Sequence, residues 1–195
     1  MRKTSEARQE TRSRLLTAAA REFADAGFAG ASIDAISLAA GYSKGTVYNY
    51  FSSKEELFVA VVAAASEAAA RSSAPPGSPV RERLRASLAA FCTWTQANEG
   101  FARVLVRECL MGTPGLYPRV IQAEDPLVRS YELIVAAGIA DGTIRTDVPA
   151  ALLAASLAGL TDLALAQHWA SDQGVPTFDD IPDLVLALLL GPQPR

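Results

Sequence analysis

Apolar positions recur along this chain every three or four residues almost from end to end, and no stretch alternates with period two for long enough to make a good strand. The pattern predicts an all-α fold. A first helix is expected over about Glu6–Ala26, where Leu16, Ala19, Ala20 and Phe23 form one stripe and Gly27 ends it. Ser32 is placed to cap a short second helix, Ile33–Ala40, which Gly41 terminates, and Ser43 to cap a third, Lys44–Phe51. Ser53-Lys54-Glu55-Glu56 has capping-box spacing and opens a long fourth helix. The stretch Arg71–Ser78 is the clearest break in the chain. Beyond it, helices are expected over about Pro79–Asn98, Gly100–Met111, Asp125–Asp141, Val148–Trp169 and Phe178–Leu190, with Pro79, Pro126, Pro149 and Pro182 in first turns, where a missing N–H does no harm. Two domains are expected, residues 1–58 and 59–195.

Composition changes this picture little. With 195 residues, 50% hydrophobic and 20% charged, the chain buries a core without staples and is neither disordered, collagen-like nor a disulfide miniprotein. Cys92 and Cys109 lack metal-ligand spacing and read as buried thiols in a reducing cytoplasm. The run Pro149–Ala166 is long and apolar, but Asp162 within it argues for a buried helix rather than a membrane span. Charge is more telling when divided by region. Residues 1–21 hold six basic residues against Glu6 and Glu10, whereas residues 57–195 hold ten basic and fourteen acidic. Only the cationic head is suited to meet phosphate.

The second and third helices, joined by a short turn at Gly41, form a helix-turn-helix pattern whose second element fits a DNA major groove. At 100° per residue Val47, Tyr50 and Phe51 turn to one side of the third helix, with Gly45, Tyr48 and Asn49 on the other, Thr46 on the flank and Lys44 at the exposed end. Gly45 lets a backbone approach closely, Lys44 suits phosphate or guanine, and Asn49 suits adenine. The hydroxyls of Tyr42, Ser43, Thr46 and Tyr48 suit phosphate oxygens. Ser32 opens a helix whose free N–H groups attract an anion, and Lys54, a cation in a helix's first turn, calls for one nearby. A purely structural helix pair with packing tyrosines is the competing reading.

The run Thr11-Arg12, Leu15-Leu16, Ala19-Ala20, Phe23-Ala24, Gly27-Phe28, Ser32-Ile33, Ile36, Ala39-Ala40-Gly41-Tyr42-Ser43-Lys44-Gly45-Thr46-Val47-Tyr48-Asn49-Tyr50-Phe51 and Ser53-Lys54-Glu55-Glu56-Leu57 resembles the DNA-binding domain of TetR-family transcriptional regulators. The resemblance covers about residues 8–58, and Tyr42 departs from the small apolar residue that many members carry there. It implies a three-helix DNA-binding domain joined by the long fourth helix to a helical C-terminal ligand-binding and dimerisation domain. It also implies a homodimer on a palindromic double-stranded operator, usually a repressor, released when a small molecule shifts the fourth helix.

The C-terminal half is read from its own residues. Leu152, Ala155, Ser156, Gly159, Leu163 and Ala166 keep heptad-like spacing on one face of a helix that is apolar on a second face too, and Leu184, Val185 and Leu188 follow on the last helix. Two apolar faces need two partners, so this pair is expected to form a dimer interface, with burial inside one subunit as the alternative. Phe91, Trp94, Phe101, Leu105, Tyr131, Ile134, Val135 and His168 are candidates to line a cavity for a partly apolar effector, against the plainer reading that they fill a core. His168 with Asp172 is too small a set for a metal, and no cofactor is expected. There is no Gly-x-Ser-x-Gly elbow or phosphate-cradling loop, so catalysis is not expected. The rival readings are a dimeric helical ligand-binding or scaffold protein without operator binding, and a small enzyme resting on His168.

Overall fold

The computed structural model describes residues 2–71, 75, 77–111, 113–144, 147–173 and 175–190, and every regular element among them is an α-helix. In chain order these are α1 (Arg2–Gly30), α2 (Ile33–Ala40), α3 (Lys44–Tyr48), α4 (Lys54–Ala70), α5 (Val80–Ala97), α6 (Glu99–Met111), α7 (Tyr117–Ala140), α8 (Ala150–Ala170) and α9 (Ile181–Leu190). The contacts divide the chain into two compact units, Met1–Ala64 with Asn98–Ala123, and Ala65–Ala97 with Glu124–Arg195.

In the first unit α1 packs against α2 and α6, and α2 against α3. Its centre is an aromatic knot. Phe58 stands edge-on to Phe23 and Phe28 at centroid distances of 5.0 and 5.3 Å, and Phe101 lies 5.3 Å from Phe58. Gly27, with φ 70 and ψ 172, breaks α1 and lets Phe28 fold back onto the knot, a left-handed backbone that favours glycine. The approach of α6 to α1 leaves no room for a side chain at Gly100, where a Cβ would stand 2.8 Å from that of Ala24.

The second unit is built on α5 against α9 and α9 against α8. Leu84, Leu88, Tyr131, Val135, Leu157, Leu165, Val185 and Leu186 are fully buried there. Arg85 grips both carboxylate oxygens of Asp183 at 2.9 to 3.2 Å, tying α5 to α9 across an exposed surface, where such pairs contribute at most about 1 kcal/mol.

Several boundaries differ from the sequence pattern for local reasons. α7 starts at Tyr117, well before Asp125, because Leu116, Val120 and Ala123 already give it a buried stripe. Pro126 therefore lies inside the helix and not in its first turn, at the loss of one backbone hydrogen bond. α9 starts at Ile181 because Thr177–Asp180 forms a turn in which the Asp180 carboxylate accepts from the Thr177 N–H and hydroxyl. Cys92 is buried, but Cys109 is only partly so. Among the described residues α8 is the one helix long and apolar enough to cross a membrane. It packs on α9 and buries Thr161 and Asp162, and a carboxylate at mid-span would cost roughly 2.5–3.5 kcal/mol in a bilayer.

Candidate functional site

Local chemistry shapes the α2–α3 unit. The Ser32 hydroxyl accepts from Ala35 N at 3.1 Å to start α2, and Gly41 ends it in the left-handed region (φ 76), where glycine alone is free of strain. The Ser43 hydroxyl accepts from Thr46 N at 3.1 Å and starts α3. Val47 and Phe51 are buried beneath α3, which leaves Lys44, Gly45, Tyr48 and Asn49 on its solvent side, with Tyr48 48% exposed. An added Cβ at Gly45 would meet only the Ser43 hydroxyl, at 3.7 Å. The fold itself does not need glycine at that position. Gly45→Ala is therefore expected to hold or raise the melting temperature, by up to ~1 kcal/mol of helix propensity, while weakening DNA binding about tenfold through lost close approach. A thermal melt and a gel-shift titration check both halves.

The α1 arginines, read from sequence as part of a cationic head suited to phosphate, stand beside this surface. The guanidinium groups of Arg8, Arg12 and Arg14 lie 5.5, 5.8 and 5.4 Å from the ring centroids of Tyr50, Phe51 and Tyr42. Such contacts hold the cations by the ring quadrupole. Their spacing along one helix was the available signal. Tyr42 also donates its hydroxyl to Thr11 Oγ1 at 3.3 Å, so the residue is held against α1. Lys44 pairs with Asp34 at 2.9 Å, and that hydrogen bond, with the carboxylate's charge, raises its pKa above the ordinary lysine value.

Lys54 has protein partners of its own. Its ammonium donates to the carbonyls of Ala29 and Ala31, both at 3.0 Å, and lies 5.1 Å from the Phe28 ring centroid. Those carbonyls supply the negative end that the sequence reading sought in a phosphate, so Lys54 braces α4 against the end of α1. The Ser32 N–H is likewise taken by Glu22 at 3.1 Å.

In the second unit a small cavity of about 10 Å³ is lined by Phe91, Glu124, Leu127, Tyr131, Ala158, Thr161 and Asp162. That is space for one water molecule. Of the expected lining residues it gathers Phe91 and Tyr131, and Trp94 stacks behind Phe91 at 6.2 Å. The others do not line that cavity. Phe101 belongs to the aromatic knot, and Leu105 is buried on α6 in the same first unit. Ile134 and Val135 are buried in the second unit without lining the cavity, and His168 is occupied by the Pro176 carbonyl at 2.8 Å and the Phe178 ring at 4.4 Å. The sequence reading missed Glu124 and treated Asp162 only as a membrane argument; an aspartate amid 21 apolar-rich helical residues was the signal.

Burial, and next the neighbouring Asp162, push the Glu124 carboxyl up from 4.5 to about 8, and burial pushes Asp162 up from 3.8 to about 7. Burial likewise moves the Tyr131 hydroxyl far above the phenol range and the Cys92 thiol up to about 12. The folded acids thus keep protons that the unfolded chain releases near its ordinary carboxylate values. As pH rises through that gap the unfolded state binds fewer protons than the folded one, so stability falls from about pH 4 and levels off above about pH 8. A melting-temperature series is expected to drop by on the order of 5 °C across this range, and Glu124→Gln should flatten it.

On α8 the stripe Leu152, Ala155, Ser156, Gly159, Leu163 and Ala166 faces away from the subunit core, with Leu152 58% and Leu163 48% exposed, while Leu153, Leu157 and Ala164 are buried on the opposite face. Leu184 and Leu188 continue the outward surface on α9, Leu188 at 65% exposed. Val185 is a correction: at 0% exposed it belongs to the core of its own subunit.

Two family models match. The model described as bacterial regulatory proteins, tetR family, covers residues 15–61, and that of the tetracyclin repressor-like C-terminal domain covers residues 77–192. The HTH-type transcriptional activator FasR of Mycolicibacterium smegmatis is 39% identical over 116 residues, which are 58% of this chain and 53% of FasR, so the match spans about half of that relative's length. The HTH-type transcriptional regulator SrpR of Pseudomonas putida is 25% identical over 144 residues, 73% of this chain and 68% of SrpR. Among solved structures, the fatty acid degradation regulator FadR of Bacillus halodurans superposes with a TM-score of 0.79 at 20% identity, covering 93% of this chain and 99% of that one. The Thermus thermophilus FadR, a transcriptional repressor solved with lauroyl-CoA, gives 0.72 at 24% identity, covering 94% and 96%.

Proposed function

The chain belongs to the TetR family of DNA-binding transcriptional regulators, and from that premise we propose that two copies of it bind a palindromic operator through α3 and repress transcription until an effector in the C-terminal unit releases them. Residues 1–58 read the DNA in this account, and residues 59–195 dimerise and respond. One observation carries the reading: α3 buries Val47 and keeps Lys44, Gly45, Tyr48 and Asn49 at the surface, beside the α1 arginines. A helix needed only for packing has no reason to collect a cation, an amide, a phenol and a glycine on its free side. Supporting the dimer is the outward leucine stripe of α8 and α9, which a two-fold axis would cover with its own copy.

The experiment is a salt series with a candidate operator and the Lys44→Ala, Tyr48→Ala double variant. Each neutralised phosphate contributes a log–log slope of about −0.9, so affinity is expected to fall steeply with salt. The variant should lose operator binding and remain dimeric. Flat salt dependence, or a variant that binds as well as the parent, would favour the scaffold reading instead.

The FadR proteins of T. thermophilus and Bacillus subtilis were solved with lauroyl-CoA and stearoyl-CoA. That supports effector response as a property of this fold.

A further inference from the structure

We propose that the cleft between α1 and the end of α2, walled by Ser13, Arg14, Thr17 and Arg21, is a second seat for the DNA backbone, outside the segment that α3 reads, and that Tyr42 holds Arg14 in it. The assignment rests on the operator-binding reading above and extends it to phosphates beyond the bases under α3. The cleft measures about 230 Å³ and is floored by alanines of both helices, where one water needs only about 10–15 Å³. Among the described residues no carboxylate lines it.

Its two guanidinium groups are uncommitted. Elsewhere Arg71, Arg85, Arg103 and Arg129 each face a carboxylate at 2.6 to 3.9 Å. Arg14 and Arg21 make no hydrogen bond or ion pair with any described residue, although Glu10 and Asp25 stand four residues from them on the same helix. Arg14 lies instead 5.4 Å from the Tyr42 ring centroid, with Nη2 3.7 Å from where a Cβ on Gly41 would stand, so the cation sits over the turn that leads into α3. The Tyr42 hydroxyl is given to Thr11 Oγ1 at 3.3 Å. That bond ties the residue to α1 and leaves its ring as the support for Arg14.

The occupant follows from charge and position. Two permanent cations and the Ser13 hydroxyl suit the oxygens of a phosphodiester. The cleft runs to Gly41 and Tyr42, directly before Ser43 and Lys44, so a backbone strand beside α3 continues past the turn into it. Arg14 and Arg21 are about 10 Å apart in helix rise, while phosphates recur every ~3.4 Å of axis along one strand. One strand therefore reaches both.

The test is fluorescence anisotropy of the full chain on a duplex recovered by selection and on a scrambled duplex of equal length, across about 50 to 200 mM salt. Arg14→Ala and Arg21→Ala are each expected to weaken both duplexes about tenfold and to make the log–log salt slope shallower by about 0.9 for each copy bound. The selected-to-scrambled ratio should not change, because phosphates carry no sequence. Tyr42→Phe, which keeps the ring, should bind like the parent. Tyr42→Leu alters no charge at neutral pH yet should make the slope shallower as Arg14→Ala does, and adding it to Arg14→Ala should bring no further loss. Arginine variants with the parent's slope would overturn the proposal, as would a changed ratio, which would mean base contact. Tyr42→Leu with the parent's slope would overturn the role given to Tyr42. Arg21 is exposed and bonds to no described residue, so its variant keeps the test decisive should Tyr42→Leu not fold. A parent that binds neither duplex sinks the operator reading as well. A parent that binds, and loses binding on Lys44→Ala with Tyr48→Ala, while both arginine variants match it, sinks this inference alone.

Discussion

Leu163→Glu is expected to yield a monomer that no longer retards operator DNA. Leu163 stands 48% exposed in the middle of the outward stripe of α8, between Gly159 and Ala166, with Leu188 65% exposed on α9. A two-fold interface brings each residue in twice, so the substitution places two carboxylates in a surface that association would dehydrate. Several kcal/mol are lost for each unpaired buried charge, which weakens dimerisation by on the order of a hundredfold or more. The side chain is on the free face, so the fold of one subunit should be little affected. Sedimentation velocity reads the mass, and circular dichroism confirms the retained helices. A dimeric Leu163→Glu protein would remove this face from the interface.

Phe58→Ala should have the largest effect on stability. Phe58 is fully buried and contacts Phe23, Phe28 and Phe101 at centroid distances of 5.0 to 5.3 Å, so it holds α4, α6 and the end of α1 around one point. Removing a buried phenylalanine costs about 3–5 kcal/mol through lost burial and the cavity left behind. Because α2 and α3 are anchored on α1, DNA binding should fail with the melting of the first unit. The expected readout is a lowered denaturation midpoint accompanied by weakened operator retention; a midpoint near that of the parent would mean that the knot is not the centre of the unit.

The N-terminal helices were legible because each signal there is local. Ser32, Gly41 and Ser43 announce their own caps within three residues, and the inward and outward faces of α3 follow from the helical period. The outward face of α8 was equally plain, since a helix apolar on two sides declares two partners. What failed depended on contacts distant in sequence. The partners of Lys54, the carbonyls of Ala29 and Ala31, lie more than twenty residues away and had no local signal. Phe101 read as a cavity residue because nothing in its neighbourhood reveals that α6 packs on α1. Glu124 went unnoticed because an acid in a mixed helix looks solvated until its burial opposite Asp162 is seen.

The central claim is that α3, in two copies, reads a duplex. Selection of bound DNA from a random pool by the full-length protein tests it most directly. The account predicts enrichment of two inverted half-sites whose centres lie about 34–36 Å apart along the duplex, or a multiple of that, with enrichment abolished by Lys44→Ala and Tyr48→Ala together. A pool that stays random, or a single undirected site that survives both substitutions, would contradict it.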